Sequence, residues 1–207
     1  MNHKKKLWVD LDGVMADYEG QYRKLGGDPD EKGGKKANRF KRPEFQNFYL
    51  HLPLLPDALT LWNFCKKICT EGHVDGPNIL SAKSNFQRTS YEDKVIWVER
   101  HLHTAGPHVV IVNMPNQKFK HCTPGDILID DNTKNISEWI NAGGVGIIHK
   151  NAKKTIEHLH ALLFTSTAHV HEAHETDLLT ANVQEAFQND PTTINLQQAF
   201  RDLTEKQ

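Results

Sequence analysis

The chain has little that marks a secreted, membrane-embedded or polyanion-binding protein. Its 207 residues hold three cysteines, Cys65, Cys69 and Cys122. So sparse and odd a set builds no disulfide framework, and reduced thiols in a reducing compartment are expected. No apolar run approaches the roughly 20 residues of a membrane-spanning helix. The basic start at Lys4, Lys5 and Lys6 is not followed by an apolar segment of signal-peptide length, so a cytoplasmic location is expected. An excess of one charge is also missing: 25 Lys and Arg stand against 26 Asp and Glu, a formal net charge of −1. General nucleic-acid binders carry a clear basic surplus, so that class is not expected. What remains, 38% hydrophobic and 25% charged, suits one globular domain with an insert or a tail.

Short apolar runs alternate with helical patterns along the chain. LWVDL (7–11), GPNILSAKSN (76–85), HVVIVNM (108–114), GDILIDDN (125–132) and GVGIIHK (144–150) read as buried strands. Between them, residues 57–72 have helical spacing. Leu59, Trp62, Phe64, Cys65 and Ile68 are the expected buried side, and Gly72 is the stop. Residues 90–103 form a second such helix, with Val95, Trp97, Val98 and Leu102 as its buried set, and 135–143 a third. Strands alternating with helices predict a doubly wound α/β fold: a parallel sheet with helices on both faces. Residues 26–44 are rich in glycine and lysine and read as a mobile loop or a small inserted module.

Such sheets bind ligands at the carboxyl ends of their strands. Asp10 and Asp12 follow the first strand, Ser81 ends the second, and Asp130 and Asp131 end the fourth, so all meet on one edge. Converging carboxylates repel and call for a cation. An all-oxygen site suits Mg2+ with a substrate phosphate. A carboxylate held there can attack phosphorus, and a second acid can manage the proton of the leaving oxygen. Ser81, backbone N–H groups and a lysine would hold the phosphate oxygens. Taken alone, Asp10 and Asp12 are a solvated Asp-Gly turn, Ser81 is a turn serine, and the lysines are surface residues. The register of all four stretches favours chemistry over those readings.

DLDGV after a strand, ILSAKSN, a lysine in NQKFKHC, and GDILIDDN resemble, in order, the four motifs of the haloacid dehalogenase-like phosphatases over about residues 5–150. DLDGVMADYEG, EDKVIWVERHL and GDILIDDNTKNISEWINAGGVGI further resemble the 5'(3')-deoxyribonucleotidase branch and its phage and bacterial relatives. The resemblance implies a Rossmann-like core over 1–16 and 57–164, with a small cap at 17–56. It implies a Mg2+-dependent phosphomonoesterase acting on (deoxy)nucleoside monophosphates through an aspartyl-phosphate. Asp10 would be nucleophile and metal ligand. Asp12 would be the general acid and base, with its backbone carbonyl on the metal. Asp130 would bind the metal directly, and Asp131 would share it or sit behind it. Ser81 and the Ala82 N–H would bind phosphate, with Lys83 adding charge. Lys118 and Lys120 both fit the motif lysine, and both stay open. The family's aromatic pocket implies that at least one of Phe40, Phe45, Phe48 and Tyr49 faces substrate, with Lys41 and Arg42 near its phosphate; a plain cap core is the alternative.

Two rival readings stand beside this one. One is the same chemistry on a nucleic-acid end or a sugar phosphate. The other is a non-catalytic interaction protein that uses a helical extension over 165–207, through which a homo-oligomer is also conceivable. His169, His171 and His174 in that extension have spacing that zinc sites use, but lack a matching partner cluster, so a solvated polar helix is expected. Cys122 has no base beside it in sequence and is not read as a nucleophile.

Overall fold

The structure, a computed structural model, describes residues 4–164. Five parallel strands form its sheet: β1 (Lys6–Val9), β2 (Asp75–Ala82), β3 (Val109–Val112), β4 (Ile127–Asp130) and β5 (Val145–Ile148). Their order across the sheet is β3-β2-β1-β4-β5. The chain winds outward from β1 in one direction, returns, and continues in the other through β4. That reversal opens a crevice beyond the carboxyl ends of β1 and β4, where doubly wound sheets bind ligands. The expected α/β fold is the observed one.

Both faces of the sheet are covered. Leu7, Val9, Ile79, Ile127, Ile129 and Ile147 point into one core with α3 (Ala58–Thr70), α4 (Ser90–Leu102) and α6 (Ala152–Phe164). Trp8, Leu80, Val112 and Leu128 point the other way, against Ile136 and Trp139 of α5 (Thr133–Asn141). This is the period-two alternation of a strand buried on both sides. Three tryptophans are fully enclosed, and each indole N–H finds a carbonyl. Trp62 donates to Leu102 O at 3.3 Å, Trp97 to Leu52 O at 2.7 Å and Trp139 to Asp126 O at 3.0 Å. Burying the ring with its one polar atom satisfied avoids the penalty of an orphaned donor.

Two helix faces differ from expectation. In α3 the buried set is Ala58, Leu61, Trp62, Cys65 and Ile68; Leu59 is exposed and Phe64 only partly covered. The i, i+3, i+4, i+7 stripe runs through Leu61, which puts Leu59 on the opposite side. In α4 the covered face carries Asp93 and Lys94 beside Trp97, Val98 and Leu102, while Val95 lies at its edge. α3 ends at Thr70, followed by Gly72 at φ +89°. Asn132 caps α5, its Oδ1 accepting from Lys134 N at 2.9 Å.

The segment between β1 and α3 is ordered into α1 (Tyr18–Lys24), α2 (Gly33–Arg39) and 3-10 turns at Pro43–Phe45 and Phe48–His51. Its interior is aromatic. Phe45 packs on Tyr22, Phe40 and Phe48 with ring centroids 5.3–5.6 Å apart. Glu31 accepts from both Tyr22 and Arg39 and ties α2 to α1. The Trp97 bond to Leu52 joins this segment to α4. The expected extension over 165–207, with its histidines, lies outside the described residues. Among the described residues no helix is long and apolar enough to cross a membrane.

Candidate active site

The parallel register delivers the acids. Asp10 leaves β1 with its N–H still bonded to Ile129 O of β4 at 2.9 Å, so its side chain and that of Asp130 emerge side by side. The chain then folds back in a tight loop, with Met15 and Ala16 N–H both bonded to Leu11 O. Gly13 makes this loop possible. Its φ is +77°, and a Cβ there would lie 2.2 Å from Asp131 Oδ2. Only glycine combines the left-handed backbone with so close a carboxylate.

Lys118 joins the two strand ends. It is 2% exposed, and its Nζ lies 2.8 Å from Asp10 Oδ2 and 2.6 Å from Asp130 Oδ2. Asn135 Nδ2 donates to both Asp130 oxygens, at 3.1 and 3.0 Å, and Asn132 N–H donates to Oδ1 at 2.8 Å. Lys120, in the same 3-10 turn Pro115–His121, is exposed and takes no part. Of the two lysines left open by the sequence, the structure brings Lys118 to the acids.

A second lysine was not anticipated. Lys94 of α4, 1% exposed, donates to Asp12 Oδ2 at 2.6 Å, to Ser81 Oγ at 3.1 Å and to Ala82 O at 2.7 Å. Its Nζ also sits 4.9 Å from the ring centre of Tyr49. A signal was present: Lys94 falls at i−3 and i−4 from Trp97 and Val98, on the buried stripe, where an unpaired lysine is untenable. Asp12 Oδ1 is buried and has no hydrogen-bond partner.

The electrostatics follow from crowding. Burial raises the Asp12 carboxyl and the Asp10 charge adds to this, against the pull of Lys94. Burial and the Asp10 charge also raise Asp130, against Lys118. Asp131 is exposed as a residue, but its carboxyl packs close against Gly13. That enclosure, with the charges of Asp10 and Asp130, pushes it up to about 7. For Lys118 burial disfavours the charge, but Asp10 and Asp130 outweigh it and hold the ammonium above its ordinary value.

Oxygens of Asp10, Asp130 and Asp131 lie within 4.8 Å of one another. The donor set is all carboxylate and fits a hard divalent cation such as Mg2+. Two lysines balance two of the four acids, and a divalent ion would balance the rest. Asp12 is outside this side-chain cluster because Lys94 engages it.

Asp10, Asp12 and Asp131 open into a cavity of about 790 Å³, within the range of small-molecule sites. Ser81, Ala82 and Lys83 line it from the end of β2. Phe40, Phe45 and Phe48 do not line it: they are 7%, 0% and 2% exposed and form the core of the inserted segment. With Tyr22, Tyr49 and Leu52 they close the module's own core. The aromatics on the cavity wall are Tyr18, Tyr49 and Phe86, and the last stacks on Phe40 at 5.9 Å and 12°. Lys41 and Arg42 are exposed and away from the cavity. Cys122 packs near Trp139, and burial pushes its thiol up to about 11, which keeps it inert.

No family model matches the chain, and no curated protein matches it. Among solved structures it is similar to a haloacid dehalogenase-like hydrolase of Burkholderia xenovorans LB400, with 14% identity and a TM-score of 0.44 over 74% of this chain and 85% of that one. A hydrolase from Streptococcus pneumoniae TIGR4 has 11% identity and a TM-score of 0.43 over 75% of this chain and 98% of that one. The HAD domain of the effector protein Lem4 from Legionella pneumophila has 12% identity and a TM-score of 0.43, covering 79% and 97%.

Proposed function

We propose that the chain is a Mg2+-dependent phosphomonoesterase of the haloacid dehalogenase-like type, acting on (deoxy)nucleoside monophosphates. The observation that carries this reading is the convergence of Asp10, Asp12, Asp130, Asp131, Lys94, Lys118 and Ser81 at the carboxyl edge of three adjacent strands. Asp10, Asp130 and Asp131 would hold Mg2+, which supplies positive charge to the phosphate oxygens when bound. The roles of the chain's own groups follow from their surroundings. Lys118, 2.8 Å from Asp10 Oδ2, holds that carboxylate aimed, as a nucleophile requires. Asp10 Oδ forms a bond to phosphorus as the ester oxygen departs. Asp12, whose proton affinity is raised, donates a proton to that oxygen. Asp12 then takes a proton from water as the water oxygen displaces the phosphoryl group from Asp10, and inorganic phosphate leaves. Ser81 and Lys118 line the cavity where phosphate charge would sit, and Lys94 holds Ser81 Oγ and Asp12 from behind. Residues 17–56 act as the cap that closes the site, and Tyr18, Tyr49 and Phe86 offer ring faces to a base.

Phosphate release from a panel of ribo- and deoxyribonucleoside monophosphates and an aryl phosphate, with Mg2+ and with EDTA, tests this. Mg2+-dependent release from nucleotides that vanishes in Asp10→Asn is expected. Release from the aryl phosphate alone would retain the chemistry and refute the nucleotide assignment. No release from any substrate would refute both.

A further inference from the structure

Lys36 of α2 has an environment that the chemistry above does not use. It lines the cavity from the inserted segment, and its Nζ stands 5.1 Å from the ring centre of Tyr18 and 5.2 Å from that of Tyr22. Those two rings are near parallel, 5.6 Å apart at 10°, and the ammonium lies against both. The lysine is partly buried, and no described residue offers its Nζ a hydrogen-bond acceptor or an ion-pair partner. Glu31 and Asp12 act on it only at longer range, and burial lowers its proton affinity. Its neighbours differ: Arg39 is committed to Glu31, Arg23 to Glu19, and Lys41 to Asn38. Ring faces attract a cation but accept none of its three N–H bonds in full. A half-enclosed ammonium facing a cavity with no protein acceptor is a ready partner for an anion.

We propose that Lys36 is a second anion site, which recognises a phosphate on the leaving group of a substrate whose other phosphate is hydrolysed at Asp10. The inference rests on the phosphomonoesterase reading and names its substrate class: nucleoside bisphosphates, or the end of a short oligonucleotide, whose second phosphate presents the same chemistry. Ser81 and Lys118, which would hold the reacting phosphate, line the same cavity of about 790 Å³ as Lys36. That space exceeds what a lone phosphate fills.

Calorimetry on Asp10→Asn with Mg2+ tests the site without turnover. Thymidine 5'-monophosphate, thymidine 3',5'-bisphosphate and the dinucleotide pTpT are the probes. A charge-assisted contact predicts binding of the bisphosphate about tenfold or more tighter than the monophosphate. Adding Lys36→Met should collapse that ratio to near one, and adding Lys36→Arg should largely keep it, which separates a lost charge from a disturbed fold. A gain shared by pTpT places the substrate at a strand end; a gain confined to the bisphosphate places it among free nucleotides. Equal binding of mono- and bisphosphate, or a ratio that survives Lys36→Met, overturns the inference and leaves the phosphomonoesterase reading intact. No binding of any probe overturns both.

Discussion

Lys118→Met would leave Asp10 and Asp130 facing each other with nothing between them. The side chains of Lys118, Asp10 and Asp130 are 3%, 9% and 0% exposed, so water reaches the gap poorly. Removing one member of so enclosed a set costs about 3–5 kcal/mol, because the two carboxylates stay buried with no cation between them. For a chain of this size that is a fall of about 6–20 °C in Tm. The cost must depend on pH. Without the lysine the folded state raises the proton affinity of Asp130 still further, while the unfolded chain does not. Folding of the variant then takes up a proton, and its stability recovers as pH falls. Urea unfolding in EDTA at pH 8 and pH 5.5 measures this, with Lys120→Met as control. The control should stay within about 0.5 kcal/mol of the parent, as exposed substitutions do. Phosphate release by Lys118→Met should also drop by about 10²–10³-fold. A loss below about 1 kcal/mol at pH 8, equal losses at both pH values, or equal losses in the two variants would refute the bridging role of Lys118.

Three further outcomes follow from the same geometry. Gly13→Ala places a methyl 2.2 Å from Asp131 Oδ2 at φ +77°; it should cost about 1–2 kcal/mol from backbone strain alone and weaken Mg2+ binding, as read by melting and by a metal titration. Asp131 has a folded value of about 7 against an ordinary 3.8, so its contribution is favourable below pH 4 and lost as pH rises through 7. In EDTA the Tm should therefore fall between pH 5 and pH 8, and Mg2+ or Asp131→Asn should flatten that slope; an unchanged slope in Asp131→Asn would exclude this carboxyl as its source. Phe45→Ala should cost about 3–5 kcal/mol by emptying the aromatic core of the inserted segment, with the loss seen in urea unfolding.

Local sequence was sufficient for the sheet and its acids. Each strand is a short apolar run that can be satisfied only by burial, and each acid pair sits directly after one, so alternation alone sends Asp10, Ser81 and Asp130 to one edge. The stop near Gly72 was legible for the same reason: it is local backbone chemistry. Tertiary packing decided the rest. Lys118 and Lys120 are two residues apart in a 3-10 turn, and nothing nearby says which side faces the sheet. Lys94 reaches Asp12 from a residue 82 positions away, a meeting that follows from the docking of α4 and not from any motif. The aromatics at 40, 45 and 48 turned inward because a segment of some 40 residues needs them for its own core. That packing left Tyr18, Tyr49, Phe86 and Lys36 to face the cavity. Composition marks such residues as available, but only the competition for burial among neighbours assigns each one to the core or to the site.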